Sequence, residues 1–581
     1  MKKVIKFVEA FVSYKISLKE LYFSLSTWLV LLISFLAVTT KFHTSLLLAN
    51  VIIALIFYLV ITLITNRILL SGFITLLLAV SFDYIKQIKW QFLMQEMSAA
   101  DFFMLKLLLN HGLMRLIYQY ATKEIYLIIL LLLVNFILLW NKSDTLLDKT
   151  KVGIKNYYAL KLISFGVAVL LVMKLADIAT DKNSHFYRML SSLKSQEDYY
   201  PRRIYGPFAD VLFTMHELYI EPIATSASAS LIIDKIKNNH FTPQSPGDMP
   251  DIVVILNEST FDPSKLDYGF ADKLYFKFFE KNKYTKYGGI LNVNTYGGSS
   301  WISEYEINTG IPHKYFTGPS YMPFITLVPR TKNSLIAYLR SIGYQTKILY
   351  PIDKDFSLAQ DAYSTLGAEE VKDIYDYDYK PEGWSEVPDK VIGDMIMAEL
   401  ERDPDKPKYI FAATMLNHGP HSSYFRDNIG CGRTMDDKLC SKLNDYLSRL
   451  TNTDKDQIAL VQKLMTRKRK TILVNFGDHL PSFEGYSTQL RFKREIKDYY
   501  KTFYQIDANF DLPKHENYEF LDITLISGLI LDIAKLNNDK FYLANSLIRK
   551  TCHGQVSECQ SETNHDLLES YKSLVIKQLE F

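Results

Sequence analysis

Asn294-Thr-Tyr-Gly-Gly-Ser-Ser-Trp-Ile-Ser-Glu-Tyr-Glu306 is the stretch on which the reading of this chain turns. Two glycines, two serines and a helix-like run place a small hydroxyl, that of Ser300, at a helix N-terminus, where free backbone N–H groups and the helix dipole favour an anion. The same residues also describe an ordinary capping turn. The two readings are separated by what else the chain brings to that turn.

From Asp251 onward, short apolar strand candidates alternate with amphipathic helices, the pattern of an α/β domain. The strand candidates are Ile252 to Leu256, Ile290 to Val293, Thr346 to Tyr350, Tyr409 to Met415 and Thr471 to Val474. Between them come helix candidates such as Ser334 to Ser341, closed by Gly343, and Val391 to Glu401. Ligands of open α/β sheets gather beyond the carboxyl ends of strands. Those exits carry Asn257-Glu258, Asn294 with the Ser300 turn, Asn417-His-Gly-Pro-His421 and Asn475-Phe-Gly-Asp-His479.

Glu258, Asp478 and His479 form a mixed oxygen and nitrogen set suited to one Zn²⁺ or Mn²⁺ ion, to which Ser300 can add a fourth oxygen. A hydroxyl bound in that way deprotonates more readily and becomes a nucleophile. Ser299 is the reserve for that role. His418 is the candidate general acid or base, and Asn294, His418 and His421 are candidates to touch substrate. Each residue has a plainer reading: a Glu beyond a strand is commonly a helix cap, and an Asp-His dipeptide in a loop commonly a turn.

The first part of the chain is far more apolar than the rest. Five stretches, at about Leu21 to Thr39, Ser45 to Thr65, Ile68 to Phe82, Ile125 to Trp140 and Tyr157 to Leu175, approach the about 20 apolar residues that a membrane span needs. The third and fourth are short and must recruit flanking residues or a thinned bilayer. The first lacks a small-x-small cleavage site and is expected to remain as an anchor. Lys2, Lys3, Lys6, Lys15 and Lys19 before the first span, and Lys142, Lys149, Lys151 and Lys155 between the last two, belong on the inner side. An odd number of spans then sets the residues after Ala176 outside. The connection Asp83 to Glu124 conflicts with this, since it carries Lys86, Lys89, Lys106, Arg115 and Lys123; its stretch Ala99 to Leu116 reads as an interfacial helix or a loop packed on the spans.

The expected division is a five-helix membrane domain over residues 1–176, a linker with interfacial helices over 177–250, and an outer α/β domain over 251–581. Of the 581 residues, 66 are Lys or Arg and 63 Asp or Glu, a balance that gives no sign of nucleic-acid binding. The four cysteines fall in two close pairs, Cys431 with Cys440 and Cys552 with Cys559, all in the outer part, as two local disulfides of an oxidising compartment would. The basic run Arg467-Lys-Arg-Lys470 reads as a solvated turn ahead of a strand, or else as a face for anionic lipid.

Four motifs together resemble the membrane-anchored phosphoglycerol and phosphoethanolamine transferases of the alkaline phosphatase superfamily, the sulfatase-like group that includes lipoteichoic acid synthase. They are Ile255-Leu-Asn-Glu-Ser-Thr260, Gly298-Ser-Ser-Trp-Ile-Ser-Glu-Tyr-Glu306, Asn417-His-Gly-Pro-His421 and Gly477-Asp-His479. The resemblance implies an alkaline phosphatase-like outer domain on a bacterial inner-membrane anchor, with one metal held by Glu258, the nucleophile, Asp478 and His479, and with His418 near the substrate phosphate. The family nucleophile is usually a threonine four residues before the first Glu of its Glu-Phe-Glu run; here that position is Ser300. Implied partners are a phosphatidylglycerol or phosphatidylethanolamine donor and an outer glycan or glycolipid acceptor. The Cys-x-Pro-x-Arg signature of sulfate ester hydrolases is absent. After Asp478-His479 comes Leu-Pro-Ser-Phe-Glu484, with no histidine until His515, which favours the phosphoglycerol branch over phosphoethanolamine transfer. The rival functions are a metal phosphodiesterase that uses water as acceptor and an inactive membrane-bound protein that binds glycan or lipid.

Overall fold

The computed structural model of the chain describes residues 44–93, 97–104, 149–180, 219–237, 248–355, 358–382, 386–421, 435–483, 489–493, 499–513, 516–559 and 562–580, with 145, 431 and 486 as single residues. The chain divides into two compact units, the second of which contains Glu217–Phe581.

α1 (Thr44–Thr65), α2 (Ile68–Leu93), which lies in the first unit as far as Lys89, and α3 (Ile154–Thr180) coincide with three of the five expected spans. The spans expected at Leu21 to Thr39 and Ile125 to Trp140 lie outside the described residues. Among those described, Ile154–Lys174 is the segment long and apolar enough to cross a membrane, and Ile53–Thr65 and Ile68–Ala79 are shorter apolar stretches. Leu162, Ile163 and Leu170 on α3 are exposed by 73%, 61% and 61%, a side-chain set suited to lipid rather than water. The hydroxyls of Thr62, Thr65 and Thr75 donate to carbonyls one helical turn back, so these polar groups are satisfied within their own helices. Of the interfacial stretch expected from Ala99 to Leu116, a 3₁₀ turn over Ala99–Met104 is described.

The second unit is built on an eight-stranded sheet in the order β4-β3-β5-β1-β6-β7-β2-β8. The strands are β1 (Asp251–Asn257), β2 (Thr285–Asn292), β3 (Gln345–Tyr350), β4 (Glu370–Asp373), β5 (Lys408–Ala413), β6 (Thr471–Gly477), β7 (Lys501–Ala508) and β8 (Phe520–Asp522). All five expected strands are present. Residues of β1 alternate between two cores: Ile252, Val254 and Leu256 join one, Val253 and Ile255 the other. A sheet covered on both faces explains why the central strands read as unbroken apolar runs. β1 pairs in parallel with β5 and β6, so both neighbours end at the same edge as β1. β7 runs antiparallel to β6 and β2.

The expected helices are also present. α4 (Ser300–Thr309) follows β2; α5 (Leu335–Ser341) is capped by the Ser334 hydroxyl, which accepts from the Ala337 N–H; α6 (Asp389–Glu401) and the 29-residue α7 (Asp437–Met465) flank the sheet. The basic run ahead of β6 has a structural duty: Arg467 and Arg469 hold the buried Asp251 carboxylate at 2.8 and 2.9 Å, and Lys408 N–H donates to the same group. Within the stretch expected to be linker, residues 177–180, 219–237 and 248–250 are described, and in the second of these the Ile232 N–H donates to Ser570 Oγ while Ser570 Oγ donates to Ser228 O.

Candidate active site

Four strand exits meet at one sheet edge. Glu258 follows β1, the Ser300 turn follows β2, His418 lies five residues beyond the end of β5, and Asp478 and His479 follow β6 directly. The backbone is bent at two of these places. Ser259 and Ser299 have φ of 51° and 62°, a region that costs a non-glycine residue about 1–3 kcal/mol. Ser299 is the N-cap of α4, and its left-handed turn presents Ser300 as the first helical residue.

The Ser300 hydroxyl donates to Glu258 Oε2 at 2.8 Å and lies 3.3 Å from His479 Nε2. His479 Nε2 is in turn 3.2 Å from Asp478 Oδ2 and 3.5 Å from Glu258 Oε1. Asp478 Oδ1 accepts from the backbone N–H groups of Ser259 and His479, at 2.7 and 2.9 Å. Its other oxygen, Oδ2, is buried and, apart from the nearby His479 Nε2, has no hydrogen-bond partner among the described residues. His479 Nδ1 is 2.9 Å from the Leu480 carbonyl, so it carries the proton and leaves the Nε2 lone pair facing the two carboxylates.

The electrostatics of the cluster call for a cation. Glu258, Asp478 and His479 are 4%, 0% and 1% exposed, and their candidate ligand atoms lie within 4.8 Å of one another. Among the described residues neither carboxylate is ion-paired with a Lys or Arg. Burial, and next the neighbouring charge of Glu258, push the Asp478 carboxyl well above its usual range. Burial also lowers His479, against the pull of Glu258, which keeps the imidazole neutral and able to ligate. Two buried acids, a neutral imidazole and an orphaned Asp478 oxygen fit a divalent metal.

His418 is near enough to this centre to act electrostatically on both Glu258 and His479. Its loop is held from behind by the buried Arg449, which donates to Leu416 O at 3.0 Å, to His418 O and Pro420 O at 3.5 Å each, and pairs with Asp445 at 2.9 Å. His421 is turned away from solvent, with Nε2 3.1 Å from Asn417 O and its ring against Tyr446 and Phe483. Asn294 spends its amide on Glu306 Oε2, whose other oxygen accepts from the His313 backbone N–H and lies 2.9 Å from His313 Nδ1. Both cysteine pairs, Cys431–Cys440 and Cys552–Cys559, are disulfides.

Several residues that shape the site were given no role by the sequence. Ser303, one turn after Ser300, donates to Asp478 O at 2.7 Å and ties α4 to the β6 exit. Ser259 Oγ donates to Glu258 Oε1, and the Glu258 N–H donates to Thr414 Oγ1. Glu304 is 2% exposed and accepts from the hydroxyls of Tyr350 and Tyr363. The spacing of Ser303 and Glu304 from Ser300 on one helix was the available signal; their partners are remote in sequence.

Residues 250–515 match the family described as Sulfatase. An uncharacterised protein of Haemophilus influenzae is 25% identical over 57% of this chain and 61% of its own length. The capsular polysaccharide biosynthesis protein RkpI of Rhizobium meliloti is 26% identical over 35% of this chain and 36% of its own length. The chain therefore spans about three fifths of the first relative and about a third of the second. The fold is shared with the phosphoglycerol transferase GacH of Streptococcus pyogenes, solved with sn-glycerol-1-phosphate, at 17% identity and a TM-score of 0.51, over 60% of this chain and 91% of that one.

Proposed function

We propose that the chain, whose residues 250–515 match the Sulfatase family, is a membrane-anchored, metal-dependent transferase. It moves a phospho-head-group, phosphoglycerol in preference to phosphoethanolamine, from a membrane phospholipid to a hydroxyl of an outer glycan or glycolipid. The observation that carries this reading is the meeting of Ser300 Oγ with Glu258, His479 and the unpartnered Asp478 Oδ2 at a helix N-terminus. Its anchor is the five-span segment read from the sequence, to which the apolar Ile154–Lys174 belongs.

Glu258, Asp478, His479 and Ser300 would hold one Mn²⁺ or Zn²⁺ ion, which when bound supplies positive charge that eases loss of the Ser300 proton and screens the phosphate oxygens. Everything else is done by the chain. The backbone N–H groups of the first turn of α4 face the phosphate, and the helix dipole favours its charge. Ser300 Oγ, as the alkoxide left once its proton has passed to solvent and regained when the acceptor displaces it, forms a bond to phosphorus as the bond to the diacylglycerol oxygen breaks, and His418 gives that leaving oxygen its proton. The product is diacylglycerol and a phospho-head-group ester of Ser300. An acceptor hydroxyl then attacks the same phosphorus, loses its proton to His418 and releases Ser300. Arg449 keeps the His418 loop in place for both halves.

Purified full-length protein supplied with Mn²⁺ or Zn²⁺ and head-group-labelled phosphatidylglycerol or phosphatidylethanolamine tests the proposal. The expected result is diacylglycerol release with label trapped on the protein in the absence of acceptor. Ser300→Ala should release none, and Ser300→Thr should retain turnover because it keeps the hydroxyl. Diacylglycerol release by Ser300→Ala would end the covalent mechanism, and label recovered solely as free phospho-head-group would make water the acceptor.

A further inference from the structure

A cavity of about 580 Å³ opens on the face of the antiparallel β2–β7 ladder, within the about 300–1,000 Å³ span of ligand sites. In the ladder Gly288 pairs with Gln505 and Ile290 with Phe503, so these four share the face that floors it. A glycine opposite Gln505 keeps that floor low. Phe279 and Phe492 are half-buried rings that line the cavity, Asn517 brings an exposed amide, and Lys265, Lys281 and Lys501 bring positive charge to it. Of its two carboxylates, Asp262 already accepts from the Ser264 N–H, and Glu519 is exposed.

The cavity adjoins the candidate active site through its lining. Thr502 Oγ1 donates to Gly477 O at 2.7 Å, the residue before Asp478, and Phe261 lies three residues beyond Glu258. A Cβ on Gly477 would stand 2.0 Å from Thr260 O and 3.0 Å from Thr502 Cβ, so the two sites meet where the backbone admits no side chain. The surrounding chain is basic and aromatic. Between Tyr268 and Tyr287 there are five lysines, at 273, 277, 281, 283 and 286, against the two acids Asp272 and Glu280. Flat ring faces for sugar C–H groups, amides for hydroxyls and lysines for carboxylate or phosphate groups are what an acidic saccharide needs. A bilayer surface would call for a protruding apolar patch, whereas these rings line a concavity.

We propose that this cavity binds an acidic glycan and receives the acceptor of the transfer reaction. The acceptor role rests on the transferase reading above; the binding itself does not. The test uses full-length protein in detergent micelles and a fluorescent oligogalacturonate as the anionic probe. A maltooligosaccharide of equal length and phosphatidylglycerol vesicles serve as competitors. A Lys265→Glu/Lys281→Glu double variant, changed at two exposed positions, should bind the probe at least tenfold more weakly while its thermal unfolding midpoint matches that of wild type. Equal binding by the double variant, or no binding by wild type, overturns the assignment. Maltooligosaccharide competing as well as the charged probe overturns the acidic class, and displacement by vesicles that bind through the same two lysines makes the surface a membrane contact instead. If the binding loss holds but wild type releases no diacylglycerol, the transferase reading fails and the glycan site stands.

Discussion

Replacing Glu304 by Gln should change how the stability of the outer unit depends on pH. Glu304 lies four residues after Ser300 on α4, and the hydroxyls of Tyr350 and Tyr363 donate to it. Burial raises its carboxyl from 4.5 to about 7; the two tyrosine hydroxyls work against that shift and the charge of Glu258 adds to it. A carboxyl whose folded value is raised keeps its proton better in the native state, so its contribution is intact below about pH 4.5 and is lost as pH climbs through 7. A shift of that size corresponds to about 3 kcal/mol of native stability lost by pH 8. The amide introduced by Glu304→Gln carries no such dependence, although it brings a pH-independent cost through its extra N–H donors. The informative quantity is therefore the change in Tm on mutation at pH 8 minus the same change at pH 5, which cancels that cost. At roughly 2–4 °C per kcal/mol for a domain of this general size, the difference should be positive and about 5 °C or more. It can be read by thermal unfolding of the full-length protein in detergent. A difference of zero, or a larger loss at pH 8, would mean that the tyrosines hold an ionised Glu304, and the reasoning would fail.

Asp478→Asn should abolish the rise in Tm that Zn²⁺ or Mn²⁺ gives the wild type, about 3 kcal/mol at a hundredfold excess over Kd, while leaving the metal-free protein at least as stable, because it removes a buried acid beside Glu258. Arg449→Met should destabilise the protein by about 3–5 kcal/mol in urea titrations, since it strands Asp445 in the interior. Adding Asp445→Leu should restore much of that stability but not the turnover, which depends on the carbonyl contacts of Arg449 to the His418 loop. Reduction of the disulfides Cys431–Cys440 and Cys552–Cys559, which close separations of nine and seven residues, should cost about 2–3 kcal/mol each, measured by unfolding of Cys→Ser pairs.

What the sequence disclosed and what it hid follow from the range of the interactions involved. β1, β5 and β6 were legible because strands buried on both faces are apolar through their middles, a signal contained in the short runs Ile252 to Leu256, Tyr409 to Ala413 and Ile472 to Val474. β7 was missed since Lys-Thr-Phe-Tyr-Gln-Ile-Asp-Ala enters antiparallel to β6, without the intervening helix that the β–α alternation leads one to expect. β4 has four residues, of which Val371 alone is apolar, and Lys372 spends its ammonium on Glu399 of α6. The Glu304 pocket joins residues 46 and 59 positions apart, and Arg449 reaches carbonyls 29 to 33 positions away, so neither left a local pattern.

The same distinction bears on the two serines. As a sequence, Gly-Gly-Ser-Ser offers two equivalent hydroxyls; as a structure, they are different groups. Ser299 takes the left-handed turn and so stands outside the helix, while Ser300 begins it with Oγ directed at Glu258. That assignment is held by hydrogen bonds running between the strand exits: Ser259 N–H to Asp478 Oδ1, Ser303 Oγ to Asp478 O, and Gly297 N–H to Leu480 O. Each ties one exit to another, so a shift of any one loop would break contacts to its neighbour. The left-handed residues Ser259 and Ser299 persist because this closed set of bonds over-determines them. The rigidity has a direction as well. It turns Asp478 Oδ2, His479 Nε2 and Ser300 Oγ toward one another. A frame held by bonds between its own loops, and storing strain to do so, is what a preorganised charge-binding centre requires.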